Sequence, residues 1–358
     1  MIIAAHRTDI KDYNRATLQQ WLQARGEASY RADQIWRWIY REQVDRFDAM
    51  SNLSKHLRAT LAQSFSIGRL ALEAREVAGD GAQKFLFGLE DGRRIESVLI
   101  PERNHATLCL SSQVGCAQNC RFCFTATGGW ERNLTLGEIL GQVRDIRKAL
   151  STPESLTNIV FMGMGEPLAN YRNVVDAIHL LTDNKAGFGF SRRKITVSTA
   201  GLVPQMEALG RDTDVSLAVS LNATDNATRS RLMPINRRYP LETLLEACRR
   251  YPLRPHRRIT FEYILMEGVN DRLENARRLA ALLRPIRAKI NLIPFNEHEG
   301  CRFRRPSGTV IDAFQQLLAD QGYTAIVRHS KGHDISAACG QLKARSESSI
   351  ETLPTHEG

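Results

Sequence analysis

From residue 107 to residue 295 the chain alternates between two hydrophobic periods. Short, β-branched apolar runs at 107–112, 157–163, 194–199, 215–221, 258–265 and 289–295 predict strands. Between them, stretches such as 135–149, 171–182, 240–250 and 271–284 repeat their apolar residues about every 3.6 positions and predict helices. Six β/α units in succession imply an α/β fold with a parallel sheet. They fall short of the eight units of a closed (β/α)8 barrel.

The N-terminal pattern differs. RATLQQWLQARG, RADQIWRWIYREQVDRF and SKHLRATLAQSF each carry a helical period, so residues 1–67 read as a small helical domain. Its core is expected from Ile35, Trp38 and Ile39, with Trp36 as a further candidate, and the tryptophans read as packing residues rather than base-stacking platforms. Residues 68–106 turn to strand character, and KFLFGLEDGRRIESVLIP reads as a hairpin around Asp91-Gly92. A core at 107–300 and a C-terminal extension at 301–343 follow. The tail 344–358, polar and rich in Ser and Glu, is expected to be disordered.

Composition narrows the function. The chain has 358 residues, 42% of them hydrophobic, enough for a large core. No apolar run approaches the roughly 18 residues that cross a bilayer, so a cytoplasmic protein without a membrane partner is expected. A net charge of +10 is clustered in Arg192-Arg193-Lys194, Arg237-Arg238, Arg249-Arg250, Arg257-Arg258 and the run Arg302 to Arg305. Taken together these favour a polyanion such as RNA over a small neutral substrate, with salt-sensitive affinity.

The chemistry is concentrated in CAQNCRFC, where Cys116, Cys120 and Cys123 form a C-x3-C-x2-C triplet. Structural zinc ordinarily takes four protein ligands, and no second cysteine pair is present to complete it. A disulfide framework suits short secreted chains, whereas this one has 7 cysteines and no signal-like N-terminus. A four-iron cluster on three thiolates leaves one iron open to another ligand. Glycines of GMGEP, Gly163 to Pro167, let backbone approach a ligand closely, and Glu166 adds a carboxylate. By the rule for parallel α/β folds, these residues belong at the carboxyl ends of the strands.

The triplet, Phe122 and the strand TLCLSS before it resemble the radical S-adenosylmethionine (SAM) superfamily. CLSSQVGCAQNCRFC, RNLTLGEILGQV, FMGMGEPLAN, SLN, INLIPFN and DISAACGQL, in that order, are more closely similar to the dual-specificity ribosomal and transfer RNA adenine-C2 methyltransferases. The resemblance runs from about residue 14 to residue 343. It implies a partial (β/α)6 barrel, an N-terminal RNA-binding accessory domain, and one 4Fe-4S cluster on Cys116, Cys120 and Cys123. It further implies SAM, two per turnover, held by Gly165, Glu166, Ser198, Ser220, Leu221, Asn222 and Asn296. The expected partners are 23S rRNA, tRNA and an external electron donor, with the enzyme a monomer.

The resemblance also assigns two further cysteines. Cys339 is methylated by one SAM; a radical formed from the second abstracts hydrogen from that methyl, and the resulting carbon radical adds to C2 of adenine. Glu96 takes the C2 proton, and Cys109 attacks the sulfur of Cys339 to release the RNA, leaving a disulfide to be reduced. Without the resemblance, Cys109 reads equally as a buried small hydrophobe and Glu96 as a surface carboxylate. Cys248 and Cys301 match no motif and read as structural. Two other readings stand beside this one: a sister enzyme that methylates C8 of the same ribosomal adenine, against which Pro167 argues, and a non-catalytic iron–sulfur RNA-binding module, which leaves Cys339 unexplained.

Overall fold

The computed structural model describes residues 7–298 and 300–344. The tail expected from residue 344 lies outside the described residues, apart from Ala344 itself. The chain begins with strand β1 (Thr8–Asp9), helices α1 (Arg15–Gln23), α2 (Arg31–Tyr40) and α3 (Lys55–Ser64), and strand β2 (Phe65–Ser66), which pairs in parallel with β1. Two helices start on side-chain acceptors: Asn14 accepts from the Thr17 amide and Ser54 from the Leu57 amide.

Leu18, Leu22, Ile35, Trp36, Ile39 and Leu61 form the fully buried centre of this module. The expected order of the two tryptophans is reversed. Trp36 is 0% exposed, while Trp38 is half-buried at the rim and donates its indole N–H to Asn52 Oδ1 at 2.7 Å. Trp36 shares a helix face with Ile39, three positions on, and Trp38 is turned away from it.

Next comes an antiparallel meander of β3 (Ala71–Val77), β4 (Gln83–Gly88) and β5 (Arg94–Pro101), turning at Gly92 with φ +79°. The hairpin expected around Asp91-Gly92 is β4–β5, and β5 pairs with β6 (Ala106–Cys109), so the meander extends the central sheet. A ribbon of β7 (Gln113–Gly115) and β8 (Trp130–Asn133) brackets the short helix α4 (Phe124–Thr127).

The parallel region then runs α5 (Leu136–Ala149), β9 (Leu156–Phe161), α6 (Tyr171–Thr182), β10 (Ile195–Thr199), α7 (Val203–Asp212) and β11 (Ser216–Ser220). It continues through α8 (Asn226–Leu232), α9 (Leu241–Arg250), β12 (Ile259–Leu265), α10 (Leu273–Leu283), β13 (Ala288–Pro294), α11 (Gly308–Asp320) and β14 (Ala325–Val327). The 10-stranded sheet has the order β14-β13-β12-β11-β10-β9-β6-β5-β4-β3. From β6 to β14 all neighbours are parallel, and β3 and β14 are unpaired edges, so the barrel stays open.

Two features depart from the sequence-based expectation. The first barrel strand stops at Cys109 rather than Ser112, because the chain leaves the sheet to start the ribbon. A short seventh parallel strand, β14, follows the expected six. The helical module is fastened to the barrel by Arg144 of α5, which is 0% exposed and donates to the carbonyls of Ile39, Gln43 and Val44 and to Asp45 Oδ1. Among the described residues no helix is long and apolar enough to cross a membrane.

Candidate functional site

Alternation along the strands builds the floor of the site. In β10, Ile195 and Val197 are buried, whereas Thr196 and Ser198 are half-buried in the barrel interior. Strand register extends Ser198 into a row with Ala218, Thr260 and Lys289, and the next row toward the carboxyl ends holds Ser220, Glu262 and Asn291. Buried Thr260 and Glu262 and half-buried Ser198, Ser220, Lys289 and Asn291 thus stand in these rows instead of the aliphatic layers of a filled barrel.

The cysteine loop lies across this mouth. The Cys116 amide donates to the Gly129 carbonyl at 2.7 Å, Arg121 N to Leu232 O at 2.9 Å, and Phe124 N to Gly340 O at 2.7 Å. Asn119 between the cysteines adopts φ +52°, a left-handed conformation that asparagine tolerates. Burial pushes the Cys116 thiol up to about 12 and raises Cys120 and Cys123 as well, and each of Cys116 and Cys120 feels its neighbours and Glu166. Among the described residues no three His, Cys, Asp or Glu side chains converge on one point as a single bound ion would require. Three neighbouring thiols on one loop, with no fourth thiol from the motif, fit a cluster whose irons are ligated separately.

Glycines after β9 serve a close approach, but to the chain itself. A Cβ at Gly163 would lie 2.7 Å from the Leu110 carbonyl carbon, and one at Gly165, with φ +100°, 2.8 Å from Gln113 N. The loop therefore packs against the stretch leading into the cysteines. Glu166 is buried; its Oε1 accepts from Leu168 N at 3.0 Å and its Oε2 from Ala200 N at 2.7 Å. Burial raises its pKa to about 7 despite these donors.

At the neighbouring tips, Asn222 takes φ +58° and is 0% exposed, its Oδ1 accepting from Ile264 N at 2.8 Å. Leu221 is buried beside it, and its carbonyl accepts from Arg229. Asn296 donates from Nδ2 to Ser330 Oγ at 2.9 Å and to the Cys339 carbonyl at 3.1 Å. Among the described residues nothing donates to its buried Oδ1. An orphaned buried acceptor fits a ligand that brings its own N–H or O–H.

Cys339 lies on a strap, residues 328–344, that crosses the mouth. Lys84 Nζ donates to Ile335 O at 2.7 Å, Thr125 Oγ1 to Leu342 O at 2.6 Å, and Gln341 Nε2 to Glu297 O at 2.7 Å. Ala337 and Ala338 are buried under it, while Cys339 is exposed within a recess. The surrounding protein, then Glu262, push its thiol up to about 11, and Arg328 and Cys123 also act on it. Cys109, buried at the end of β6, titrates well above its ordinary range, first through burial and then through Cys339. The strap meets the cysteine loop where the Phe124 amide, next to Cys123, donates to the carbonyl of Gly340, next to Cys339.

Glu96 is buried on β5 rather than at the surface. Its Oε1 is 3.5 Å from Lys84 Nζ, and its buried Oε2 has no hydrogen-bond partner among the described residues. Burial raises its pKa; Lys84 opposes this.

Three groups escaped the sequence reading. Glu262 is buried opposite Asn291, whose Nδ2 donates to it at 3.0 Å, and burial lifts its pKa to about 7. Its signal was a lone acid in the apolar run ITFEYIL. Lys84 joins the meander to the strap. Arg229, charged yet 0% exposed, sits under the cysteine loop. Of the cysteines read as structural, Cys248 is buried and Cys301 packs in the apolar cluster that also holds Cys120 and Cys123.

Known proteins resemble this chain in both its N-terminal module and its barrel. Residues 8–67 match the ribosomal RNA large subunit methyltransferase N-terminal domain, and residues 110–280 match the radical SAM superfamily. The chain is 57% identical over 336 residues to the dual-specificity RNA methyltransferase RlmN of Desulfosudis oleivorans, covering 94% of this chain and 91% of the relative. It is 52% identical to the protein of the same name from Pelobacter propionicus, covering 95% and 96%. A crystal structure of a radical SAM methyltransferase from Sphaerobacter thermophilus superposes with a TM-score of 0.88 at 46% identity, over 94% of this chain and all of that one.

Proposed function

The chain belongs to the RlmN family of dual-specificity radical SAM RNA methyltransferases, and from that premise we propose that it methylates C2 of adenine in 23S rRNA and in tRNA through its own Cys339 and Cys109. What supports the reading is the seating of the strap at the triplet, where the Phe124 amide, next to Cys123, donates to the carbonyl of Gly340, next to Cys339, at 2.7 Å. C2 of adenine has no lone pair with which to displace a methyl from SAM, so the methyl must travel through a radical route.

Cys116, Cys120 and Cys123 would hold the 4Fe-4S cluster, and Glu166, Ser198, Ser220, Leu221, Asn222 and Asn296 the SAM, with Gly165 keeping their loop close. When bound, cluster and SAM supply the methyl group and, on reduction, a hydrogen-abstracting radical. Cys339 accepts the methyl and carries it to C2. Glu96, held beside Lys84, takes the C2 proton. Once the adduct's unpaired electron has passed to a one-electron acceptor, Cys109 attacks the Cys339 sulfur and its thiol proton goes to the departing methylene, releasing methylated RNA and leaving a disulfide for an external two-electron reductant. The helical module at 1–67 would hold the RNA against the open side of the barrel.

Replacing Cys109 with Ala is expected to trap a covalent RNA adduct on Cys339. Cys339→Ala is expected to abolish both adduct and product, and methylation that survives this change would overturn the mechanism. Mass spectrometry of digested RNA decides the position: 2-methyladenosine supports it, and 8-methyladenosine assigns the chain the sister chemistry.

A further inference from the structure

Arg229 and Arg144 are both 0% exposed, but their charges are treated differently. Arg144 is neutralised by Asp45 at 2.5 Å. Arg229 is held entirely by neutral acceptors: Nε donates to Leu221 O at 3.2 Å, Nη1 to Asn236 Oδ1 at 3.1 Å, and Nη2 to Ala200 O at 2.8 Å and Ser220 O at 3.2 Å. Four of the five N–H groups are satisfied, so the head is fixed, yet no carboxylate pairs with it among the described residues. Burying an ion without a partner is costly, and burial drags even this guanidinium down to about 10.

The neighbours explain the arrangement. The titratable groups that face Arg229 are the thiols of Cys120 and Cys248. The Arg121 amide, next to Cys120, donates to Leu232 O on the same helix, α8, and Cys120 and Cys123 pack against Leu232 and Met233. The cation therefore lies beneath the cysteine loop and on rigid elements, the ends of β10 and β11.

We propose that Arg229 is the built-in counter-charge of the iron–sulfur cluster, stabilising the thiolate-bound anion and easing its reduction. The inference rests on the assignment of the triplet to that cluster. A cube held by three thiolates is a net anion and becomes more negative when it takes an electron, so a fixed cation stabilises the reduced form more than the oxidised one. The low dielectric around a fully buried guanidinium preserves that effect, which an exposed arginine would lose to screening. Arg229 is thus a positioning and electrostatic residue, and its hydrogen bonds leave it unable to swing toward substrate.

The test uses the full chain reconstituted anaerobically, without SAM, and titrated with dithionite under redox mediators while the cluster is followed by its electron paramagnetic resonance signal. Arg229→Gln is expected to make reduction at least tenfold less favourable, a shift of about 59 mV to more negative potential for one electron. Arg229→Lys, which keeps the charge and loses part of the clamp, is expected to stay close to the unaltered protein. If the glutamine variant cannot hold a cluster while the lysine variant does, the counter-charge is supported. Unchanged potential in Arg229→Gln, or equal loss of cluster from both variants, overturns the proposal and leaves Arg229 a structural clamp. An unaltered chain that takes up no iron would instead refute the cluster assignment itself.

Discussion

Asn296 donates to the carbonyl of Cys339 at 3.1 Å while its own Oδ1, buried in the mouth, accepts from nothing. One amide thus fastens the strap that carries the reactive thiol and, among the described residues, keeps an unpartnered acceptor on a residue proposed to bind SAM. Binding of the cofactor and placement of Cys339 should therefore be coupled.

Asn296→Ala removes two hydrogen bonds, each worth about 1 kcal/mol, and frees this part of the strap. The expected outcome is faster alkylation of Cys339 by iodoacetamide together with weaker SAM binding by calorimetry. Unaltered alkylation with weakened binding would confine Asn296 to the cofactor.

Gly165→Ala places a Cβ at φ +100° and 2.8 Å from Gln113 N. The obstacles are the Gln113 Cβ at 2.6 Å and its backbone N, neither of which a rotamer change can move, so a loss of roughly 2–4 kcal/mol in urea unfolding is expected. Gly92→Ala is a useful contrast: it shares a positive φ, but nothing stands within 4 Å of its Cβ, and it should cost only about 1 kcal/mol.

How much of this was legible in the chain follows from what each feature depends on. The parallel strands were readable because one of their faces is packed under helices: Ile195 and Val197, or Ile290 and Leu292, repeat at the strand period whatever their partners are. The triplet was readable because its three ligands are local. Glu262 was not, since its meaning depends on cross-strand register with Ser220 and Asn291. β14 is only three residues long and is defined by pairing with β13. Trp36 and Trp38 were confused because a short helix with aromatic residues on two faces leaves its orientation to the neighbours. The strap's route, from Lys84 to Thr125, joins residues more than 200 positions apart.

Glu262 makes stability depend on pH. Its folded pKa of about 7 lies above its ordinary 4.5, so between these values the folded chain holds a proton that the unfolded chain has released. Stability should therefore be highest below pH 4.5 as far as this group is concerned, fall as pH rises toward 7, and then level off. The full contribution is at most about 3 kcal/mol. Glu262→Gln should flatten that fall in denaturant midpoints measured from pH 5 to pH 8; an unchanged slope would mean the carboxylate is charged throughout.

Lys84 offers a test of Glu96 that leaves the carboxylate in place. The ammonium is 3.5 Å from Glu96 Oε1 and also bonded to Ile335 O. It favours the charged carboxylate against the burial that raises its pKa. Lys84→Met keeps much of the aliphatic stem and removes the charge, so the Glu96 pKa should climb further. Because a proton acceptor must be ionised to work, the acid limb of the rate of C2 deprotonation should move to higher pH. At alkaline pH the variant should recover most of its rate. The measurement is single-turnover methylation across pH, with Cys339 premethylated so that loading is not limiting. A uniform loss at every pH would mean that Lys84 acts by holding the strap at Ile335, and Glu96→Gln would then separate the two effects by removing the titrating limb altogether.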